Sequence, residues 1–170
     1  MFLVLGRKIA ESIKRANPDE TASIEVMSYA LTNIIHSGTI IAGSLLISLP
    51  LGIFMETLVA LFWFMWLRVL TGGFHFKSLH TCAIFSVTAV LLCPYIARVP
   101  FLLLWIDYTS AALLLVFSPA QNKSKVPNGW LKVFSLLAIA LNMIVFKSNS
   151  ASVAIFFVSL LTVRKGVKRK

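Results

Sequence analysis

The sequence predicts an all-α, polytopic integral membrane helix bundle, about six transmembrane helices preceded by an amphipathic N-terminal helix. Three observations carry that expectation. The 170 residues are 58% hydrophobic, with a mean hydropathy of +0.87, above the roughly 45–50% apolar share of soluble domains. The apolar residues fall in long runs, interrupted by short breaks containing Pro, Gly and basic residues. The basic residues sit at the two ends and in those breaks. A soluble chain of this length, a single domain by size, could not hide so much apolar surface.

Residues 1–16 form the first element. Phe2, Leu5, Ile9 and Ile13 recur at helical spacing, while Arg7, Lys8, Glu11, Lys14 and Arg15 take the other face. Such a helix lies in the headgroup plane. Asn17-Pro18-Asp19 ends it, with Asp19 as an N-cap for the next helix. Residues 20–35 are again amphipathic, with Ile24, Met27, Leu31 and Ile34 aligned, and run into the apolar segment 39–49. Eleven residues cannot span a bilayer, so the first span is placed at 28–49.

Pro50 and Gly52 mark a tight turn. A second span covers about 51–67, ending in Trp63, Phe64 and Trp66 as an interfacial belt. A polar, glycine-broken stretch occupies 68–78. A third span at 79–97 and a fourth at 99–117 are separated by Arg98 and Pro100. Residues 118–129 are a loop rich in turn formers. A fifth span covers 130–146, and Lys147–Ser150 breaks the pattern. The sixth, 151–163, is short for a crossing, and a basic tail follows at 164–170.

Charge placement favours six spans. With the N-terminus cytoplasmic, the inner segments hold Arg7, Lys8, Lys14, Arg15, Arg68, Lys77, Lys123, Lys125, Lys132, Arg164, Lys165, Lys168, Arg169 and Lys170, which is 14 of the 16 basic residues. Arg98 and Lys147 alone fall outside. The positive-inside rule therefore puts both termini and the 68–78 break in the cytoplasm. The net charge of +10 is distributed to anchor the chain on anionic lipid, which argues against nucleic acid as a partner. Charge follows the apolar start Met1–Gly6, and no small-residue cleavage site comes after it, unlike a signal peptide.

The break at 68–78 is where chemistry is expected. It runs Arg68-Val-Leu-Thr-Gly72-Gly73-Phe-His75-Phe-Lys77-Ser78, and Cys82 follows. On a continuous helix His75 and Cys82 would stand about 10.5 Å apart along the axis, far beyond the roughly 2.6–3.2 Å of a proton transfer. A catalytic pair therefore requires the chain around 72–78 to leave the helix and fold back. Gly72-Gly73 supplies the backbone freedom, and Ser78 can cap a new helix with Cys82 in its early turns. The bland alternative is a small buried cysteine beside an interfacial histidine.

His80, two residues from Cys82, points to a different helical face and is the weaker base. His75, His80 and Cys82 have metal-ligand chemistry but lack a fourth ligand, so neither metal nor cofactor is expected. Cys82 and Cys93 are about 16 Å apart on one helix, too far for a disulfide, so both are expected as free thiols. His36, within the first span, is a packing or hydrogen-bonding residue. Arg68 is either a snorkelling anchor or a carboxylate-binding group that organises the break; Lys77 has the same ambiguity. Asp107 in mid-span and Glu56 near a span end are ionisable groups in costly places.

Taken together, Arg68, Gly72-Gly73, His75 and Cys82 resemble the signature of the AgrB family (accessory gene regulator B), membrane cysteine endopeptidases. The basic amphipathic start, the small multi-span body and the Pro-bearing basic loop after the fourth span are similar as well. The family's loop reads Ala-Pro-Ala, an acidic residue, then Lys-Pro. Here it is Ser118-Pro119-Ala120-Gln121, and Val126 separates Lys125 from Pro127, which puts substrate contacts there in doubt. The resemblance implies cleavage of an AgrD-type propeptide at the inner membrane face, with Cys82 as nucleophile and His75 as base. A thioester on Cys82 would then pass to an internal Cys or Ser of the peptide, closing a thiolactone or lactone. Arg68, Gly72 and Gly73 would shape the site or hold the peptide. The expected partners are that propeptide and the bilayer, and a narrow bundle of this kind is compatible with a homodimer. Competing readings are a small peptide transporter using Asp107 and Glu56, and a catalytically idle scaffold.

Overall fold

In hydrocarbon a helix gains nothing by turning leucine away from its surroundings, so interiors of membrane bundles collect small and polar side chains instead. The computed structural model describes residues 2–71, 78–118 and 127–166, and its interior mixes small and polar side chains such as Ser44, Thr57, Ser86 and Ser110 with large apolar ones such as Phe64, Leu67 and Leu114. Its described residues form seven α-helices: α1 (Phe2–Ala16), α2 (Ile24–Ser48), α3 (Phe54–Thr71), α4 (Leu79–Ile96), α5 (Pro100–Phe117), α6 (Asn128–Leu141) and α7 (Asn149–Gly166). A π-helical turn, Asn142–Phe146, extends α6. The fold is thus the expected helical membrane bundle. Five segments (α2, α3, α4, α5, and α6 with its extension) are long and apolar enough to cross a bilayer, and the apolar part of α7, Asn149–Val163, is shorter.

This helix with the shorter apolar part is the central one. α7 packs against α3, α4 and α5, and Ala151, Val153, Ala154, Ile155, Val158 and Ser159 are all buried. Ser150, Ala151, Ser152 and Ala154 at its start let neighbouring backbones come close. A helix ringed by other helices does not need a long lipid-facing stripe, which is why its apolar run is brief.

Boundaries moved in three places. The cap of α2 is Ser23, whose Oγ accepts from the Val26 N–H at 3.4 Å, rather than Asp19. Residues 17–21 make their own turn, with Thr21 Oγ1 donating to Asn17 O at 2.7 Å and Lys14 Nζ to Thr21 O at 2.8 Å. α2 then runs unbroken to Ser48, merging the amphipathic segment and the first span. At its far end Gly52 takes φ +67°. Gly52 N–H donates to Leu49 O at 3.2 Å and Ile53 N–H to Ser48 O at 3.3 Å, the paired bonds of a Schellman close. Third, α3 continues through Thr71, so Arg68 is helical and the break begins one turn later.

The buried faces differ from those periodicity suggested. α1 seats Phe2, Gly6 and Ala10 on α2 and leaves Leu5 and Ile13 exposed. α2 buries Thr32, His36, Ile40, Ser44 and Ser48 while Ile34 is 66% exposed. Trp63 and Phe64 lie in the core, Trp63 edge-on to Phe146 at 5.7 Å, and Trp66 is exposed. On α1 and α2 most of the packed residues are small or polar, whereas α3 puts Trp63 and Phe64 inside.

Gly6 is where α1 comes closest to α2. A Cβ there would collide with Thr32 Oγ1 and approach Ser28 O to 3.1 Å. Gly6→Val is therefore expected to cost about 1–3 kcal/mol, as overpacking does, read as a lower thermal midpoint in detergent and faster trypsin cleavage after Lys14 or Arg15. Gly38→Ala, whose Cβ meets nothing within 4 Å, should leave both readings unchanged or slightly improve stability. Equal behaviour of the two variants would mean that α1 is not seated on α2 in solution.

Candidate active site

Cys82 sits in the first turn of α4, its backbone N–H donating to Ser78 O at 3.1 Å. Ser78 holds the N-cap position, as expected, without a side-chain cap bond. The thiol is 1% exposed. Facing it, in the last turn of α3, Arg68 donates from Nη2 to Cys82 Sγ at 3.4 Å. The same guanidinium lies over the Phe64 ring, 5.7 Å from its centroid. Arg68 thus turns inward along its own helix toward the cysteine, unlike a snorkelling anchor.

This contact also fixes the course of the chain. Fourteen residues on one straight helix would put Arg68 and Cys82 about 21 Å apart. At 3.4 Å they show that α3 and α4 turn back on each other between Thr71 and Ser78. Gly72, Gly73, His75 and Lys77 belong to that connection and lie outside the described residues.

The remaining sequence candidates are sorted by the fold. His80 is exposed, its ring packed on Phe2 with centroids 4.8 Å apart. His36 is buried and meets the same Phe2 edge-on at 5.6 Å. One aromatic side chain of α1 thus joins α2 to the first turn of α4 beside the thiol, a contact that α1's own periodicity gives no hint of. Cys93 is buried and donates to Ala89 O at 3.2 Å, so it is occupied within its own helix. Both cysteines are free thiols, as expected. Among the described residues no three His, Cys, Asp or Glu side chains group as a metal site.

Asp107 and Glu56 do not converge on Cys82. Asp107 is half-buried on α5, seven residues from that helix's start at Pro100. Glu56 stands in the first turn of α3, about 18 Å along the helix from Arg68. Both occupy the half of the bundle away from the thiol. Sequence reasoning missed what surrounds them there: Arg98, Lys147, Ser148 and Asn149 share a cavity with Glu56. The polar cluster Lys147–Ser150 between two apolar runs was the available signal.

Chemically, the described part of the site offers one buried sulfur and one permanently charged planar donor aimed at it. A neutral thiol is a weak acceptor, whereas a thiolate is a strong one, and charge-assisted bonds are roughly twice as strong as neutral ones. The arrangement therefore suits a sulfur that carries negative charge at some stage.

No solved structure matches the chain. A curated relative from Halalkalibacterium halodurans, described as AgrB-like, is 32% identical over 118 residues, which is 68% of this chain and 58% of that protein. The family model for accessory gene regulator B matches residues 6–164, a range that takes in α2 to α6, Arg68, Cys82 and the connection holding His75. A polytopic helical bundle with a buried Arg–Cys contact at one end, matched over nearly its whole length, belongs to the AgrB family.

Proposed function

We propose that this protein is a membrane-embedded cysteine endopeptidase that removes the C-terminal part of an AgrD-like propeptide and promotes cyclisation of the remainder. The observation that carries the reading is the Arg68 Nη2 to Cys82 Sγ contact at 3.4 Å in a chain of this family. It joins two residues of the sequence signature across the turn that contains the other three, Gly72, Gly73 and His75.

In this reading His75 takes the thiol proton and Cys82 Sγ attacks the scissile carbonyl. The tetrahedral intermediate collapses with cleavage of the C–N bond, and His75 returns the proton to the leaving amine. The peptide's N-terminal part is now a thioester on Cys82. An internal Cys or Ser of the peptide gives its proton to His75 and attacks that carbonyl, the bond between the carbonyl carbon and Cys82 Sγ breaks, the proton passes to Sγ, and a thiolactone or lactone leaves. Exchange of one thioester for another is nearly balanced, so closing a thiolactone needs no outside energy source. Arg68 acts when Sγ is negative, before attack and again on departure. Gly72 and Gly73 allow the chain to bring His75 within reach. The inner-face placement of 14 of 16 basic residues supports a bacterial cell membrane setting, with both termini and the active site cytoplasmic.

Two experiments test this. In liposomes, the protein should shorten a matching propeptide, and Cys82→Ala or His75→Ala should remove that activity. Undiminished cleavage by Cys82→Ala would end the mechanism, and peptide movement across the bilayer without cleavage would favour a transporter. Arg68→Gln should slow cleavage by roughly 10²-fold, the order seen when one preorganised donor to a developing anion is lost. Arg68→Lys, which keeps the charge, should recover part of the lost rate, whereas a residue that only packs would gain nothing from a restored charge.

A further inference from the structure

At the end of the bundle opposite Cys82, the chain gathers what its charge pattern otherwise avoids. Arg98 follows α4, Lys147 follows the π-helical turn, and both line a cavity of about 300 Å³ together with Glu56, Ser148, Asn149 and Ser150. These are the two basic residues that the six-span reading leaves on this face, and they come from connections far apart in the sequence. Bringing two cations together is unfavourable, the more so at low dielectric. Glu56 offsets one of them, leaving the pocket one positive charge in excess.

The pocket is built rather than accidental. Lys147 has φ 47° and ψ 34°, the left-handed region that a lysine seldom occupies. Its N–H donates to Asn142 O at 2.6 Å. The buried Asn142 side chain donates to Ser148 O at 3.2 Å and Ser152 Oγ at 3.0 Å, and accepts from Ser148 N–H at 3.4 Å. Asn149 Nδ2 donates to Ala97 O at 3.4 Å, tying this turn to the residue before Arg98. Arg98 in turn lies over the Tyr95 ring, 5.3 Å from its centroid, a stacking that leaves in-plane N–H donors for a ligand. Around the pocket the surface becomes apolar, since Met55, Tyr95, Val99 and Phe101 are all exposed.

We propose that this pocket binds the phosphate of an anionic phospholipid headgroup. A phosphodiester supplies the single negative charge that neutralises the pocket and several acceptors for Arg98, Lys147, Asn149 and Ser150. A lipid also supplies acyl chains for the exposed apolar surface beside it, which a free phosphate does not. A zwitterionic headgroup carries a cation of its own into a pocket already in positive excess, and binds less well.

The test uses the full chain in phosphatidylcholine liposomes carrying a trace of photoactivatable phosphatidylglycerol, with attachment sites mapped by mass spectrometry. Label is expected on residues 94–102 and 147–153. Unlabelled phosphatidylglycerol should compete for it, and neither added phosphatidylcholine nor inorganic phosphate should. Arg98→Gln combined with Lys147→Asn should lower labelling there by about tenfold or more, as expected for two lost charge-assisted bonds; asparagine tolerates the left-handed backbone. Lys8→Gln with Arg15→Gln, which removes the same charge from α1, should leave it unchanged. Equal losses in the two double variants, or no loss in the first, would overturn the site. Competition by inorganic phosphate would reassign it to a free anion. Competition in the unmodified chain decides the matter even if the pocket variant folds poorly.

Discussion

The rest of this structure depends on the bilayer's inversion of the usual packing rule. Water drives leucine inward, whereas lipid is indifferent to it and penalises an unmatched polar group. α2 shows the outcome on one helix: Thr32, His36, Ser44 and Ser48 face protein while Ile34 and Leu46 face out. Many interior hydroxyls bond back to their own helix. Thr71 Oγ1 donates to Leu67 O at 2.9 Å, Ser110 Oγ to Ile106 O at 2.6 Å, and Thr162 Oγ1 to Val158 O at 2.9 Å. A side chain satisfied this way behaves as a small space-filler, and it lets α7 stand among α3, α4 and α5.

Charge obeys the same constraint more strictly. A guanidinium within a spanning helix must find an acceptor or reach water. Arg68, in the last turn of α3, could have done the second. It instead crosses to α4, and the contact with Cys82 fastens the two helix ends that flank His75. Phe2 fastens a third helix at the same level through His36 and His80. The thiol therefore sits in a packed corner of α1, α2, α3 and α4, with the connection from 72 to 77 as the one part of the signature left to complete it.

How much of this was legible follows from which physics each signal carries. Breaks were legible, because Pro50 with Gly52, Arg98 with Pro100, and Lys147–Ser150 mark where a helix must stop whatever surrounds it. Faces were not. Alignment of Leu5 and Ile13 on α1, or of Ile34 on α2, marks an apolar face without saying whether lipid or protein covers it, and all three are exposed. Trp63 looked like a belt residue because composition alone cannot separate an aromatic at the interface from one meeting Phe146 in the interior. The Arg68 to Cys82 contact was hidden for another reason. Their spacing acquires meaning only once the chain has turned back between them, and no local pattern states that it does. Arg68 and Cys82 could each be singled out in the sequence, while their contact could not be read from it.

That pairing bears on whether Cys82 is merely a small residue in a core. A packing cysteine would be served as Cys93 is, by the carbonyl of its own helix at 3.2 Å, with apolar neighbours around it. Giving such a cysteine an arginine partner is poor economy, since a neutral thiol returns little for holding a half-buried guanidinium in place. The partnership becomes favourable when the sulfur is charged. An interaction weak in the resting state and strong in a charged state along the reaction is the kind that lowers a barrier rather than merely holding the resting fold together. The Arg68 contact at Cys82 therefore fits the proposed nucleophile better than it fits a residue that only packs.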